Sequence, residues 1–130
     1  VTNELKILVV DDIPSQLLTI KDILGAEQFA VITASDAADA TRQFNAAQPD
    51  IVLLDVNLPD GNGLELTSQF KQSHNKKWLP VLLMSSDATV DDHLAGYKAG
   101  CDDYLGKPFD PRILLAKLTV IRHQLELLSR

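Results

Sequence analysis

The stretch Ile51-Val52-Leu53-Leu54-Asp55-Val56-Asn57-Leu58-Pro59-Asp60-Gly61-Asn62-Gly63 decides how the rest of this 130-residue chain is read. Four apolar residues in a row, without alternation, suit a strand buried on both faces. Asp55 stands where the run stops, and a proline and two glycines then force a turn. A carboxylate at the carboxyl end of a buried strand lies where open α/β sheets bind ligands.

Working outward, further apolar runs lie at residues 7–10, 30–32 and 81–84, with a weaker one at Tyr104-Leu105. Helical spacing separates them. Leu17, Ile20 and Leu24 form one stripe, behind a Pro14-Ser15 start. Ala37, Ala40, Phe44 and Ala47 form a second, with Ser35 or Asp36 placed to cap it. Leu66 and Phe70 mark a third, and Val90, Leu94 and Tyr97 a fourth. A last helix starts near Pro111. Five strand–helix units predict one α/β domain with a doubly wound parallel sheet and helices on both faces. The second run is the least hydrophobic and is expected at a sheet edge.

Composition narrows the function. A net charge of −6 argues against gripping nucleic acid or an anionic membrane directly. The single cysteine, Cys101, cannot make an internal disulfide and fits a reducing compartment, where it is expected as a small buried filler. No run reaches the length of a membrane span, and the first residues carry no signal-peptide pattern, so a cytoplasmic domain is expected.

In such a sheet the loops after the strands share one rim. That rim would collect Asp11 and Asp12, then Asp55 and Asn57, then Ser85 and Ser86, and finally Gly106-Lys107-Pro108-Phe109. Crowded carboxylates repel unless a cation neutralises them, and oxygen-only ligands select a hard divalent ion such as Mg²⁺. With a lysine and a hydroxyl alongside, the set suits a phosphoryl group, and Asp55 could attack phosphorus as a carboxylate nucleophile.

These motifs resemble those of a response regulator receiver domain, the phosphoacceptor module of two-component signal transduction that includes the chemotaxis regulator. The matching residues are Val9-Val10-Asp11-Asp12, Leu53-Leu54-Asp55-Val56-Asn57-Leu58-Pro59-Asp60-Gly61, Pro80-Val81-Leu82-Leu83-Met84-Ser85 and Asp103-Tyr104-Leu105-Gly106-Lys107-Pro108-Phe109. The resemblance implies a flavodoxin-like strand order 2-1-3-4-5. It implies that Asp55 accepts phosphate from a phosphohistidine on a sensor histidine kinase or histidine phosphotransfer protein. Mg²⁺ would be held by Asp12 and Asp55 directly, by the backbone carbonyl of Asn57, and by Asp11 mainly through water. Lys107 would pair with Asp55 and then with the phosphoryl group, and a cis bond would precede Pro108. Ser85 and Tyr104 would form the switch that alters the surface of the fourth helix, fifth strand and fifth helix. Ser86, where a smaller alanine is common, together with Asn57 and Asp87, would influence access to the phosphate and its lifetime. The domain would assist its own phosphorylation and dephosphorylation without being an enzyme on a separate substrate.

Competing readings fare worse. An EF-hand starting at Asp55 would need an oxygen ligand at Pro59, glycine at Asp60 and glutamate at Leu66. A dehalogenase-type phosphatase wants an aspartate where Asn57 stands, and Gly106-Lys107 lacks the rest of a P-loop. The glycines after Asp60 read as turn residues, Lys71, Lys76 and Lys77 as a solvated basic face, and His74, His93 and His123 as surface or helix-face residues. The alternative function is a receiver-like interaction or dimerisation module that signals without phosphate.

The last helix is longer than a sheet requires. Leu114, Leu118, Ile121, Leu125 and Leu128 recur at heptad spacing. Residues 1–122 are therefore read as the receiver, and residues 123–130 as an extension, a coiled-coil stalk and homodimer seam leading to an output domain outside this chain. A second dimer surface is suggested by Asp102, Asp103 and Lys117.

Overall fold

The computed structural model describes residues 4–86 and 89–129. Its strands are β1 (Lys6–Val10), β2 (Ala30–Ala34), β3 (Ile51–Asp55), β4 (Val81–Ser85) and β5 (Asp103–Gly106). Its helices are α1 (Pro14–Ala26), α2 (Ala37–Ala47), α3 (Gly63–Ser73), α4 (Val90–Ala99) and α5 (Pro111–Leu128). All four strand pairings are parallel, and the order is β2-β1-β3-β4-β5, the doubly wound order expected. The least hydrophobic strand, β2, lies at an edge, as its composition predicts. A short antiparallel pairing of Asn57–Leu58 with Gly61–Asn62 folds the chain back after β3.

Strand alternation sorts the core into two layers. Ile7, Val9, Ile51, Leu53, Leu82, Met84 and Leu105 pack with Ile20 and Leu24 of α1 and with Leu114, Leu118 and Ile121 of α5. Leu8, Val10, Val52, Leu54, Val81, Leu83 and Tyr104 pack with Ala40, Phe44, Leu66 and Phe70 of α2 and α3. The rings of Phe44 and Phe70 stack at 4.1 Å. The central strands are buried throughout, which is why they read as unbroken apolar runs.

The helix starts follow local chemistry. Pro14 and Pro111 each open a helix. Asp36 caps α2 by accepting from the Asp39 amide at 2.7 Å, Asn62 caps α3, and Thr89 and Asp92 form a capping box on α4.

Several sequence expectations are corrected. On α4, Val90, Leu94 and Tyr97 face outward, at 75%, 57% and 48% exposure, while Gly96 is the buried residue. The close face of that helix is set by Gly96, where an added Cβ would lie 3.0 Å from the Tyr104 ring. The basic run is tied down: Lys71 donates to the Leu79 carbonyl and pairs with Asp102, Lys76 pairs with Asp50, and Lys77 donates to the Leu128 carbonyl. Asp103 pairs with Lys117 at 2.9 Å within the chain, and Asp102 also accepts from the Trp78 indole and the Val81 amide. On α5, Leu125 packs against the domain's own core, so that core reaches one turn farther than the heptad reading allows. The large apolar residues left outward are Ile113, Val120 and Leu127, spaced by seven, together with Leu128.

Candidate functional site: an acidic pocket with one lysine

Alternation also decides which rim residues meet. Val9, Leu53 and Leu105 face α1 and α5, and continuing two residues from each reaches Asp11, Asp55 and Lys107. Ser85 and Tyr104 follow the opposite parity, with Leu83 and the α2–α4 side.

The three residues on the first face converge. The Lys107 ammonium donates to Asp55 Oδ2 at 2.6 Å, to Asp11 Oδ2 at 2.9 Å and to Gln16 Oε1 at 2.7 Å. Asp11 is fully buried, and Asp55 is 6% exposed. Each carboxylate spends its other oxygen on a backbone amide two residues on: Asp11 Oδ1 accepts from Ile13 at 3.0 Å, and Asp55 Oδ1 from Asn57 at 3.0 Å. Asp12 is exposed, and one ligand oxygen from each of Asp11, Asp12 and Asp55 falls within 4.8 Å of the others. Burial by itself would lower the Lys107 pKa, but its hydrogen bonds to Asp11 and Asp55, with their charges, outweigh that and raise it. Lys107 is therefore a fixed cation at neutral pH.

Three carboxylates against one ammonium leave two negative charges in a largely buried space. That balance, and a donor set made only of oxygen, fits one hard divalent cation.

The loop after β3 is held by contacts the sequence did not announce. The Asp60 carboxylate accepts from the Ala37 amide at 2.6 Å and the Ala38 amide at 3.0 Å, pinning the loop to the first turn of α2. Those two hydrogen bonds lower the Asp60 pKa. Gly63 is more than a turn residue: an added Cβ would collide with the Asp55 carbonyl oxygen and lie 2.9 Å from Val56 Cα. Gly61 similarly sits against Ala37.

Ser85 is buried at the end of β4, one residue past the Met84 that pairs with Asp55, and its carbonyl accepts from the Lys107 amide at 2.7 Å. The Lys107–Pro108 peptide is cis. Tyr104 is buried, with the His93 ring 4.2 Å away, so His93 is a contact of the expected switch tyrosine and not only a surface residue. Ser86 is exposed, and Asp87 lies outside the described residues.

The family model for the response regulator receiver domain matches residues 7–119. The chain belongs to that family. This receiver domain is 36% identical over 122 residues to the alkaline phosphatase synthesis transcriptional regulatory protein PhoP of Bacillus subtilis, covering 94% of the chain and 50% of the relative. It is 30% identical over 120 residues to the phosphate regulon transcriptional regulatory protein PhoB of Escherichia coli, covering 92% and 52%. Among solved structures, a CheY-like receiver domain protein from Methanospirillum hungatei superposes with a TM-score of 0.88 at 27% identity, covering 95% of this chain and 98% of that one. The chain spans about half the length of the curated relatives it matches. Receiver domains are phosphoacceptors that bind Mg²⁺ at an acidic pocket, and Asp11, Asp12 and Asp55 cluster in this chain. No helix among the described residues is long and apolar enough to cross a membrane.

Sequence reasoning missed Gln16 and Asp60. Asp60 offered a faint signal, a carboxylate in a turn, but not its partner 23 residues away.

Proposed function

We propose that this receiver takes a phosphoryl group from a phosphohistidine on a sensor histidine kinase or histidine phosphotransfer protein onto Asp55, and so controls an output domain or partner protein. The observation that carries this reading is Lys107 bridging Asp55 and Asp11 beside an acidic set that fits one divalent cation. Asp12 and Asp55 would hold Mg²⁺ directly, Asn57 through its backbone carbonyl, and Asp11 mainly through water. The ion would supply charge neutralisation of the phosphoryl oxygens.

The remaining work falls to the chain's own residues. An Asp55 carboxylate oxygen attacks phosphorus, the phosphorus–nitrogen bond breaks, and the electron pair leaves with the donor imidazole. Lys107 stabilises the charge on the transferring group and stays paired with it. Ser85 hydrogen-bonds a phosphoryl oxygen, and its movement with the Tyr104 ring alters the α4–β5–α5 surface. The outward Val90, Leu94 and Tyr97 give that surface an apolar face for the partner. The donor approaches over α1, where Ser15, Gln16, Thr19, Pro108 and Phe109 line an open groove beside Lys107. This chemistry makes the domain a participant in its own phosphorylation and dephosphorylation, with no separate substrate to turn over.

If the last helix also forms a homodimer, the outward row Ile113, Val120 and Leu127 supports a seam there in preference to Leu125. Leu128, 41% exposed, could join the stalk towards an output domain.

The test is incubation with phosphoramidate, a small donor with the same phosphorus–nitrogen bond, with Mg²⁺ or with a chelator. Labelling of the wild type with Mg²⁺, absent with the chelator and absent in Asp55→Asn, is the expected result. Unlabelled wild-type protein would favour the phosphate-independent interaction module.

A further inference from the structure

Lys107 has three N–H donors and three acceptors, Asp55, Asp11 and Gln16, so its bonding is complete. Two of those acceptors belong to the proposed metal and phosphoryl chemistry, and their charge is shared or consumed as the site works. Gln16 alone is neutral and stands outside that set.

The local sequence explains why Gln16 is available. It is the third residue of α1, where a glutamine often reaches back to the amide before the helix. Here the residue before the helix is Ile13, and its amide is already taken by Asp11 Oδ1 at 3.0 Å. Freed from capping, Gln16 turns its amide to the rim that α1 covers. An ammonium only donates, so the Gln16 oxygen must face it, which fixes the side chain's orientation.

We propose that Gln16 is a positioning residue for Lys107: its 2.7 Å hydrogen bond keeps the ammonium aimed at Asp55 while the two carboxylates are engaged elsewhere. The proposal rests on the phosphoacceptor reading of Asp55, and Gln16 touches neither the phosphoryl group nor the metal ligands' roles.

A double-mutant cycle tests it. Phosphoramidate labelling rates are compared, with Mg²⁺, for wild type, Gln16→Leu, Lys107→Met and the double variant. Gln16→Leu should slow labelling about tenfold, the scale of one hydrogen bond to a charged group. In the Lys107→Met background the same change should alter the rate less than about twofold, because the ammonium it positions is gone. A merely structural role for Gln16 would slow both backgrounds equally, and that result overturns the proposal, as does a Gln16→Leu rate within twofold of wild type. A parallel cycle in melting temperature without metal uses no chemistry at all. Gln16→Leu should cost roughly 3–6 °C opposite Lys107 and less than half of that opposite methionine. If the wild type takes no label, the phosphoacceptor reading fails by itself. The melting cycle then still decides whether Gln16 holds Lys107, and equal shifts in both backgrounds would reject it.

Discussion

Replacing Gly63 with alanine should destabilise the domain, although alanine is the better helix former. Gly63 is the first residue of α3 and is buried. An added Cβ would collide with the Asp55 carbonyl oxygen and lie 2.9 Å from Val56 Cα and 3.0 Å from the Asp55 carbonyl carbon. All three are backbone atoms. They are held by β3 and by the Gly63 amide, which donates to the Val56 carbonyl at 2.8 Å, so no side chain can swing away. Overpacking of this kind costs about 1–3 kcal/mol, against at most about 1 kcal/mol gained from helix propensity. Three backbone contacts at or below 3.0 Å put the overpacking at the upper end of its range, a net cost of about 1–2 kcal/mol. Near this chain length about 1 kcal/mol corresponds to roughly 3–5 °C, so Gly63→Ala should melt roughly 3–10 °C below wild type. Gly25 in the last turn of α1 is the control, because its added Cβ would meet nothing within 4 Å. Gly25→Ala should gain about 0.5–1 kcal/mol and melt higher. Gly96→Ala meets the Tyr104 ring and Leu83, side chains that can yield, and should fall between wild type and Gly63→Ala. Thermal melts followed by circular dichroism, with urea titrations to check that m is unchanged, read all three. Gly63→Ala melting at or above wild type would refute the reasoning.

The Asp60 anchor has a defined pH dependence. Its folded pKa lies below the ordinary 3.8, so its contribution is fully present above that value and is lost as pH falls through the lower folded value. The melting difference between wild type and Asp60→Ala should hold constant from neutral pH to about pH 5 and close in strong acid; a gap that closed near neutrality would contradict the assignment. Burial, then the nearby Asp102 and Asp103 charges, push the Cys101 thiol up to about 11 from an ordinary 9.0. Alkylation at pH 8 should therefore run at least roughly a hundredfold slower than for the urea-unfolded chain, and equal rates would show an accessible thiolate.

The sheet and its rim were legible because a parallel sheet covered on both faces leaves a plain trace. Residues 51–54 and 81–84 read as unbroken apolar runs, and Asp55 and Ser85 stand where each run ends. Topology then carried Asp11 and Lys107 to the same rim from opposite ends of the chain. Helix orientation was less legible. Spacing placed Val90, Leu94 and Tyr97 on one face of α4, but periodicity cannot say whether that face looks in or out. The answer lay in Gly96, whose missing side chain lets the helix lie against Tyr104. Leu125 was placed beyond the core for a related reason, since two apolar rows run along α5 and the core claims the one containing Leu125. Lys71 looked like a surface residue and Gln16 drew no reading at all, because their partners, Asp102 and Lys107, are 31 and 91 residues away.

The most direct test of the central claim is to locate the phosphoryl group on the chain. After reaction with phosphoramidate and Mg²⁺, borohydride reduction converts an aspartyl phosphate to homoserine, which peptide mass spectrometry can place. Homoserine at position 55 alone, and none when Mg²⁺ is chelated, is the result predicted. Homoserine at Asp11 or Asp12, or none at any position in protein that remains folded, would contradict the assignment of Asp55 as the phosphoacceptor.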